Sequence, residues 1–379
     1  MTSAQQVLVL GGGFGGAAAA LSARRALAPE HRVTLIDRGT TSHLCGANPL
    51  IMVGAKGDVS RSMGRLAARG IEVVTADITR IDLDAAVVET DAGTFGYDSL
   101  VVALGASYDW DAIPGAAQAY SFYERAAAMR LRDRLARLES GSVVIGIEGT
   151  PYRCPPAPLE GSLLLDWAFR RRGIRNAVSI DLAIPEPAPL AVAGPDAART
   201  MRQRLEEQEV ALHTGRTLSA LDGPTAVFSD GSELPADVVI TVPIHLVPAV
   251  VSDSGLTGGK PWVPVHAATL ETARPGVFAV GDVNSIPVGD KAIPKAGAFA
   301  SGQGALVGSL IASRILGVEP PPPYEGIGHC FIALSGDEAA TVGGRFLAPG
   351  GPEVGLGDSS AAGMAAKAQW EVDWEGFHI

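Results

Sequence analysis

The stretch from Val7 to Asp37 constrains this chain more than any other. An apolar run, Val7 to Leu10, leads into Gly11-x-Gly13-x-x-Gly16. An Ala-rich segment follows, then a second apolar run, Val33 to Ile36, closed by Asp37. Short apolar runs beside glycine read as buried strands, and the Ala-rich segment reads as a helix. Gly11 permits the tight turn and Gly13 lets the backbone approach a pyrophosphate. Gly16 lets helix and strand pack closely, and the helix N-terminus faces the phosphates. Asp37 stands 21 residues after Gly16 (37 − 16), where a carboxylate accepts from a ribose hydroxyl. A lone GxGxxG is weak. Strand, glycine turn, helix, strand and acid in that order predict a dinucleotide-binding unit, with Phe14, Gly15 and Arg38 beside the named residues as further candidates.

The 379 residues suffice for two or three domains, and 47% hydrophobic content with 19% charged residues supports a large core rather than disorder. A net charge of −11 without a basic stripe argues against a nucleic-acid partner. No basic residue precedes the first apolar run, so no targeting segment is expected, and no run of 18 apolar residues exists to span a membrane. The expectation is a cytoplasmic protein or one peripheral to a membrane. Three cysteines (Cys45, Cys154 and Cys330) are too few for a disulfide scaffold. They leave redox or nucleophilic chemistry, or inert burial.

Two later segments refine the ligand. Ser99 to Ala106 reads as an apolar strand running into Ala103-Leu104-Gly105, where flavoproteins with two dinucleotide-binding units close their first half with an Ala-Thr-Gly-like turn. Gly276 to Val283 ends a strand in Gly281-Asp282, and such flavoproteins use this Asp to hold the ribitol chain. In this order the pieces shift the expectation from NAD to FAD. They meet only if residues 111–265 are an insert that splits the FAD domain. A helix is expected from near Lys295 to Gly297 as far as Ile315, with Lys295 and Ala296 at a positive dipole end that favours charge on a reduced ring.

The insert repeats the nucleotide-fold pattern: strand Ser142 to Ile147, helix Leu163 to Arg171, strand Ala177 to Leu182. Its first turn, however, reads Gly146-Ile-Glu148-Gly149-Thr-Pro151. Proline has no N–H for a phosphate and Glu148 repels one, so poor NAD(P)H binding is expected. The same loop carries Cys154 within Pro151-Tyr-Arg-Cys-Pro-Pro-Ala-Pro-Leu-Glu160. Prolines keep such a loop out of a helix, Arg153 favours a thiolate, and Glu160 is placed to move a proton. The bland alternative for Cys154 is a buried filler. Cys45, in the loop His43 to Pro49, has no CxxC partner and is open to the same reading. Beyond the proline run Glu319 to Pro323 lies Cys330. In the tail, Trp370, Trp374 and Phe377 share one helical face, suited to core packing or to a homodimer, with membrane contact the lesser reading.

These residues resemble the sulfide:quinone oxidoreductases and, more closely, the flavin subunit of flavocytochrome c sulfide dehydrogenase. The resemblance rests on Pro151-Tyr-Arg-Cys-Pro-Pro-Ala-Pro with Glu160, Trp262-Val-Pro-Val265, Pro294-Lys-Ala-Gly297, Ala300-Ser-Gly-Gln303 and Cys330-Phe331, and covers nearly the whole length. It implies that Cys154 and Cys330, 176 apart (330 − 154), form a redox disulfide over FAD, with Glu160 as acid/base. Cys45-Gly-Ala-Asn48 resembles the setting in which that flavin subunit carries its flavin covalently. The implied fold is α/β, with two Rossmann-like dinucleotide-binding domains plus a small C-terminal domain. The FAD domain (1–110 and 266–318) is split by a degenerate second domain (111–265), and residues 319–379 form the C-terminal domain. The implied function is oxidation of sulfide or a related sulfur compound, with electrons passing through FAD to a quinone or protein acceptor. No Cys-x-x-Cys-His haem motif and no metal site is apparent. A type II NADH:quinone reductase is the rival enzyme, and a flavin-bearing partner or sensor protein is the non-catalytic one.

Overall fold

The computed structural model describes residues 4–289 and 291–377. The chain opens with β1 (Gln6–Leu10), α1 (Phe14–Ala26), β2 (Arg32–Asp37), β3 (Glu72–Thr75) and β4 (Ser99–Val102). Strand β5 (Ser107–Asp109) carries it into β6 (Gly141–Ile147), α2 (Ala157–Arg171), β7 (Val178–Ile184), β8 (Val210–Thr214) and β9 (Val238–Val242). Strand β10 (Ile244–Leu246) brings it back to β11 (Val277–Ala279) and α3 (Gly297–Leu316). Strands β12 (Ile327–Ala333), β13 (Ala339–Arg345) and β14 (Glu353–Leu356) follow, then α4 (Ala361–Gly376).

Strands β11-β4-β1-β2-β3 form a five-stranded sheet, parallel throughout. Strands β8-β7-β6-β9 form a second parallel sheet of four strands. Parallel strands are covered on both faces, which is why Val7 to Leu10 and Val143 to Ile145 read as unbroken apolar runs and are fully buried. The outgoing β5 and returning β10 pair antiparallel, Tyr108 opposite His245, so both crossings lie side by side. Strands β12, β13 and β14 form an antiparallel sheet in which Cys330 faces Val342 across the ladder.

Small residues set the distance between α1 and α3. A Cβ on Gly304 would lie 2.0 Å from the Gly15 carbonyl oxygen, and one on Gly308 would lie 2.3 Å from that of Ala19. The two helices therefore meet backbone to backbone, and α3 is pulled close to the glycine turn.

One boundary differs from expectation with consequences for the site. Helix α2 begins at Ala157, not near Leu163, with Pro156 as its N-cap and Pro158 in the first turn. Proline is tolerated there because first-turn N–H groups have no helical acceptor. Glu160 therefore rides on a helix instead of a loop. The tail forms α4, whose Trp370 ring stacks on Phe14 at 5.7 Å and 12°, so its aromatic face packs on its own chain. Among the described residues no helix is long and apolar enough to cross a membrane.

Candidate active site

Strands β1, β2, β4 and β11 end on one edge of the five-stranded sheet, where ligands of such sheets bind. A cleft of about 850 Å³ opens there. Gly11, Gly13, Phe14, Gly15, Asp37, Arg38, Cys45, Asn48, Ala103, Leu104, Gly105, Gly281 and Asp282 all line it. Gly16 does not. A Cβ there would come within 1.8 Å of the Gly11 oxygen, so its work is close packing. A Cβ at Gly13 would meet nothing within 4 Å, and α1 has neither a side-chain cap nor an acid in its first turn. An uncapped helix N-terminus facing open space suits an anionic pyrophosphate. Asp37 braces the turn, with its carboxylate accepting from the Gly12 amide at 2.7 Å and the Gly39 amide at 2.8 Å. Burial raises the Asp282 carboxyl pKa, while Arg153 and Lys295 oppose the rise. These residues fit FAD: glycines for the pyrophosphate, acids for the sugar hydroxyls, and a length of cleft between them.

A smaller cavity, about 70 Å³, adjoins the cleft and shares Phe14, Cys45, Tyr123, Arg153 and Gly297 with it. Cys45, Cys154, Cys330 and Glu160 all line it, and Ala296 joins them. Cys154 and Cys330 are free cysteines, near enough for Cys330 to be the largest influence on the Cys154 thiol. That influence and burial together push the Cys154 thiol well above its usual range. Cys154 is held at φ +53°, a conformation rare for a non-glycine residue. Its amide donates to the Lys295 carbonyl at 2.7 Å, and its carbonyl accepts from the Ala157 amide at 2.8 Å as α2 begins. Cys330 comes from the middle of β12, so two distant segments present the pair.

Glu160 is 2% exposed. Its Oε1 lies 3.1 Å from Lys367 Nζ and accepts from the Ala333 amide at 3.3 Å. Burial raises its pKa against these two partners. Lys367, itself 3% exposed, was not among the sequence candidates. It lies three residues before Trp370 on the face read as apolar, and a lone lysine among alanines on a buried face was the available signal. Tyr123 was missed as well, because nothing in the sequence around it marks chemistry.

Two expectations need correcting. Arg153 acts on Cys45 and Asp282, whose charges it favours, while the cation that favours a Cys154 thiolate is Lys367. The Arg153 guanidinium instead donates to the Tyr123 carbonyl at 2.6 Å. Lys295 lines neither cavity. Its ammonium donates to the carbonyls of Asp282 at 2.6 Å and Asn284 at 2.9 Å, and sits 3.5 Å over the Trp262 ring. It braces the backbone beneath Asp282. The helix start expected beside it is Gly297, which does line the cleft.

In the second sheet, Glu148 follows β6 and lies over the gap between β6 and β9, the point where strand order reverses. It is 5% exposed, accepts from the Thr241 hydroxyl, and has its pKa raised by burial. The place where a second nucleotide's phosphates would sit is occupied by a buried carboxyl.

The chain matches the family described as pyridine nucleotide-disulphide oxidoreductase over residues 5–304. It is 24% identical to the mitochondrial sulfide:quinone oxidoreductase of Mus musculus over 345 residues, 86% of this chain and 74% of that protein. It is 28% identical to the sulfide-quinone reductase of Aquifex aeolicus over 316 residues, 78% of this chain and 73% of that protein. The crystal structure of the sulfide:quinone oxidoreductase from Aquifex aeolicus superposes with a TM-score of 0.87 at 24% identity, over 97% of this chain and 90% of that one.

Proposed function

This chain belongs to the pyridine nucleotide-disulphide oxidoreductase family and is an FAD oxidoreductase, and we propose that it oxidises sulfide, or a closely related reduced-sulfur species, with a quinone as electron acceptor. One observation carries the reading: Cys154 and Cys330, near enough for one to shift the other's thiol, line one cavity that shares a wall with the FAD cleft. The names of the two relatives support sulfide and quinone. Residues 111–265 are proposed as the insert that presents Cys154, and residues 319–379 as the part that presents Cys330.

In the oxidised protein the two thiols form a disulfide. Hydrosulfide attacks the Cys154 sulfur. A new S–S bond forms as the Cys154–Cys330 bond breaks, and Cys330 leaves as thiolate with the electron pair. The substrate proton passes to Glu160, whose burial-raised pKa makes it a competent base, with Lys367 holding it in place. Bound FAD supplies the two-electron acceptor. NADH as donor is disfavoured by Glu148. We also propose Cys45 as a covalent tether to the flavin, because it lines both cavities and lies beside Arg153 and Asp282.

Anaerobic mixing with sulfide, followed by flavin absorbance, tests the main reading. The expected result is bleaching in the native protein, and its loss in Cys154→Ser and Cys330→Ser with FAD still bound. Full activity in both variants would remove the disulfide mechanism. For Cys45, acid precipitation should leave yellow colour in the pellet, and colour wholly in the supernatant would exclude the tether.

A further inference from the structure

We propose that the Tyr123 hydroxyl is a substrate-binding donor: it hydrogen-bonds the sulfur anion held against Cys154. This rests on the functional reading above and deepens it. Tyr123 is 4% exposed, yet its hydroxyl is buried without a hydrogen-bond partner among the described residues. A buried hydroxyl left unpaired is destabilising by the full loss of its hydration, so such a group in a cavity wall is poised for a ligand. Tyr123 lines that wall where the small cavity meets the cleft.

Its surroundings hold the ring still. The Ser121 hydroxyl accepts from the Tyr123 amide at 3.2 Å and itself donates to the Thr241 carbonyl at 2.8 Å. The Tyr123 carbonyl accepts from Arg153 at 2.6 Å and from the Tyr108 hydroxyl at 3.4 Å. The His245 ring meets its edge at 5.5 Å. A donor fixed by its neighbours loses little entropy when a ligand arrives.

Two tyrosines border the cleft, and of these two Tyr123 also lines the cysteine cavity. The Tyr108 hydroxyl is influenced by Cys45 and Asp282, on the FAD side, and is already committed to the Tyr123 carbonyl. After burial, Cys154 is the largest influence on ionisation of the Tyr123 hydroxyl. Burial holds it protonated far above neutral pH, so it remains a donor throughout the working range. Hydrosulfide, or the terminal sulfur of a persulfide on Cys154, is an anion that a fixed neutral donor stabilises. The small size of the cavity, about 70 Å³, suits a one- or two-sulfur species better than an organic thiol.

The experiment compares native protein with Tyr123→Phe, which keeps the ring and its packing. Flavin reduction is followed in anaerobic stopped flow over a sulfide series, and alkylated protein is weighed for the added sulfur on Cys154. The expected result is a rise of roughly tenfold in half-saturating sulfide and a lower persulfide yield at fixed sulfide, with FAD content, visible spectrum and dithionite reduction unchanged. An unchanged sulfide dependence overturns the assignment and leaves the sulfide reading standing. A shifted flavin spectrum with unchanged sulfide dependence also overturns it, by giving the hydroxyl to the flavin. If Tyr123→Phe loses FAD, Tyr123→His, which keeps a donor, is read in its place. It supports the proposal by holding half-saturation within about threefold of native, and opposes it by matching a tenfold loss. A native protein that sulfide does not reduce at all removes the functional reading and the Tyr123 role with it.

Discussion

Lys295 shows how far a residue's role departs from its position in sequence. Beside a helix start near FAD, it reads as a cation for the ring. The fold turns the side chain the other way, onto two carbonyls and an indole face, because the loop after β11 has carbonyls that need donors. Sequence places a Cα, not a rotamer, so this was not legible. Burial lowers the Lys295 pKa from 10.5 to about 8. For a base shifted downward, the folded protein pays the full desolvation penalty below pH 8, where both states hold the proton. Between 8 and 10.5 the unfolded chain binds a proton that the folded one has shed, so stability rises with pH there. Lys295→Met should flatten this rise, which is on the order of 3 kcal/mol. Thermal unfolding at a series of pH values checks it, and an unchanged slope would mean another group titrates.

At the scale of elements, the glycine turn, its helix, the Ala-Leu-Gly turn and the Gly-Asp strand end were all legible, and they line one cleft. Each rests on local backbone demands that sequence records directly. The start of α2 was not legible, because Pro155, Pro156 and Pro158 read equally as a stiff loop or as a first helical turn. The second parallel unit keeps the strand–helix–strand order while changing its chemistry at one turn. Glu148, bonded to Thr241 over the strand-order reversal, puts a buried carboxyl where phosphates would sit. NADH and NADPH at micromolar concentration should therefore fail to bleach the flavin on the timescale on which sulfide does. Rapid bleaching by either would return the chain to the NADH dehydrogenase class.

Across the whole molecule, the tail is what sequence conveyed least. Helix α4 reads as an amphipathic ending, yet it closes the cysteine cavity. Its C-terminal carbonyls accept from Arg61 at 2.5 Å, Arg65 at 2.7 Å and Arg69 at 2.8 Å, cations well placed against the negative end of a helix. Lys56 pairs with Glu371, and Trp370 covers Phe14. The deepest tie is Lys367 to Glu160, which joins the tail to α2 across more than half the sequence. A buried pair of this kind contributes little net stability, since desolvation opposes attraction, but removing one partner strands the other charge. Lys367→Met should therefore lower stability by about 3–5 kcal/mol, or drive Glu160 to take up a proton. Glu160→Gln with Lys367→Met should lower it by clearly less than the two single changes added together. Urea unfolding followed by tryptophan fluorescence measures all four proteins, with Trp370 and Trp374 reporting on the tail. Strict additivity would show that the two side chains act independently and that the tail is held by its other contacts. A large coupling, with sulfide reduction lost in every variant lacking Glu160, would show one pair serving both the docking of the tail and the proton of the reaction.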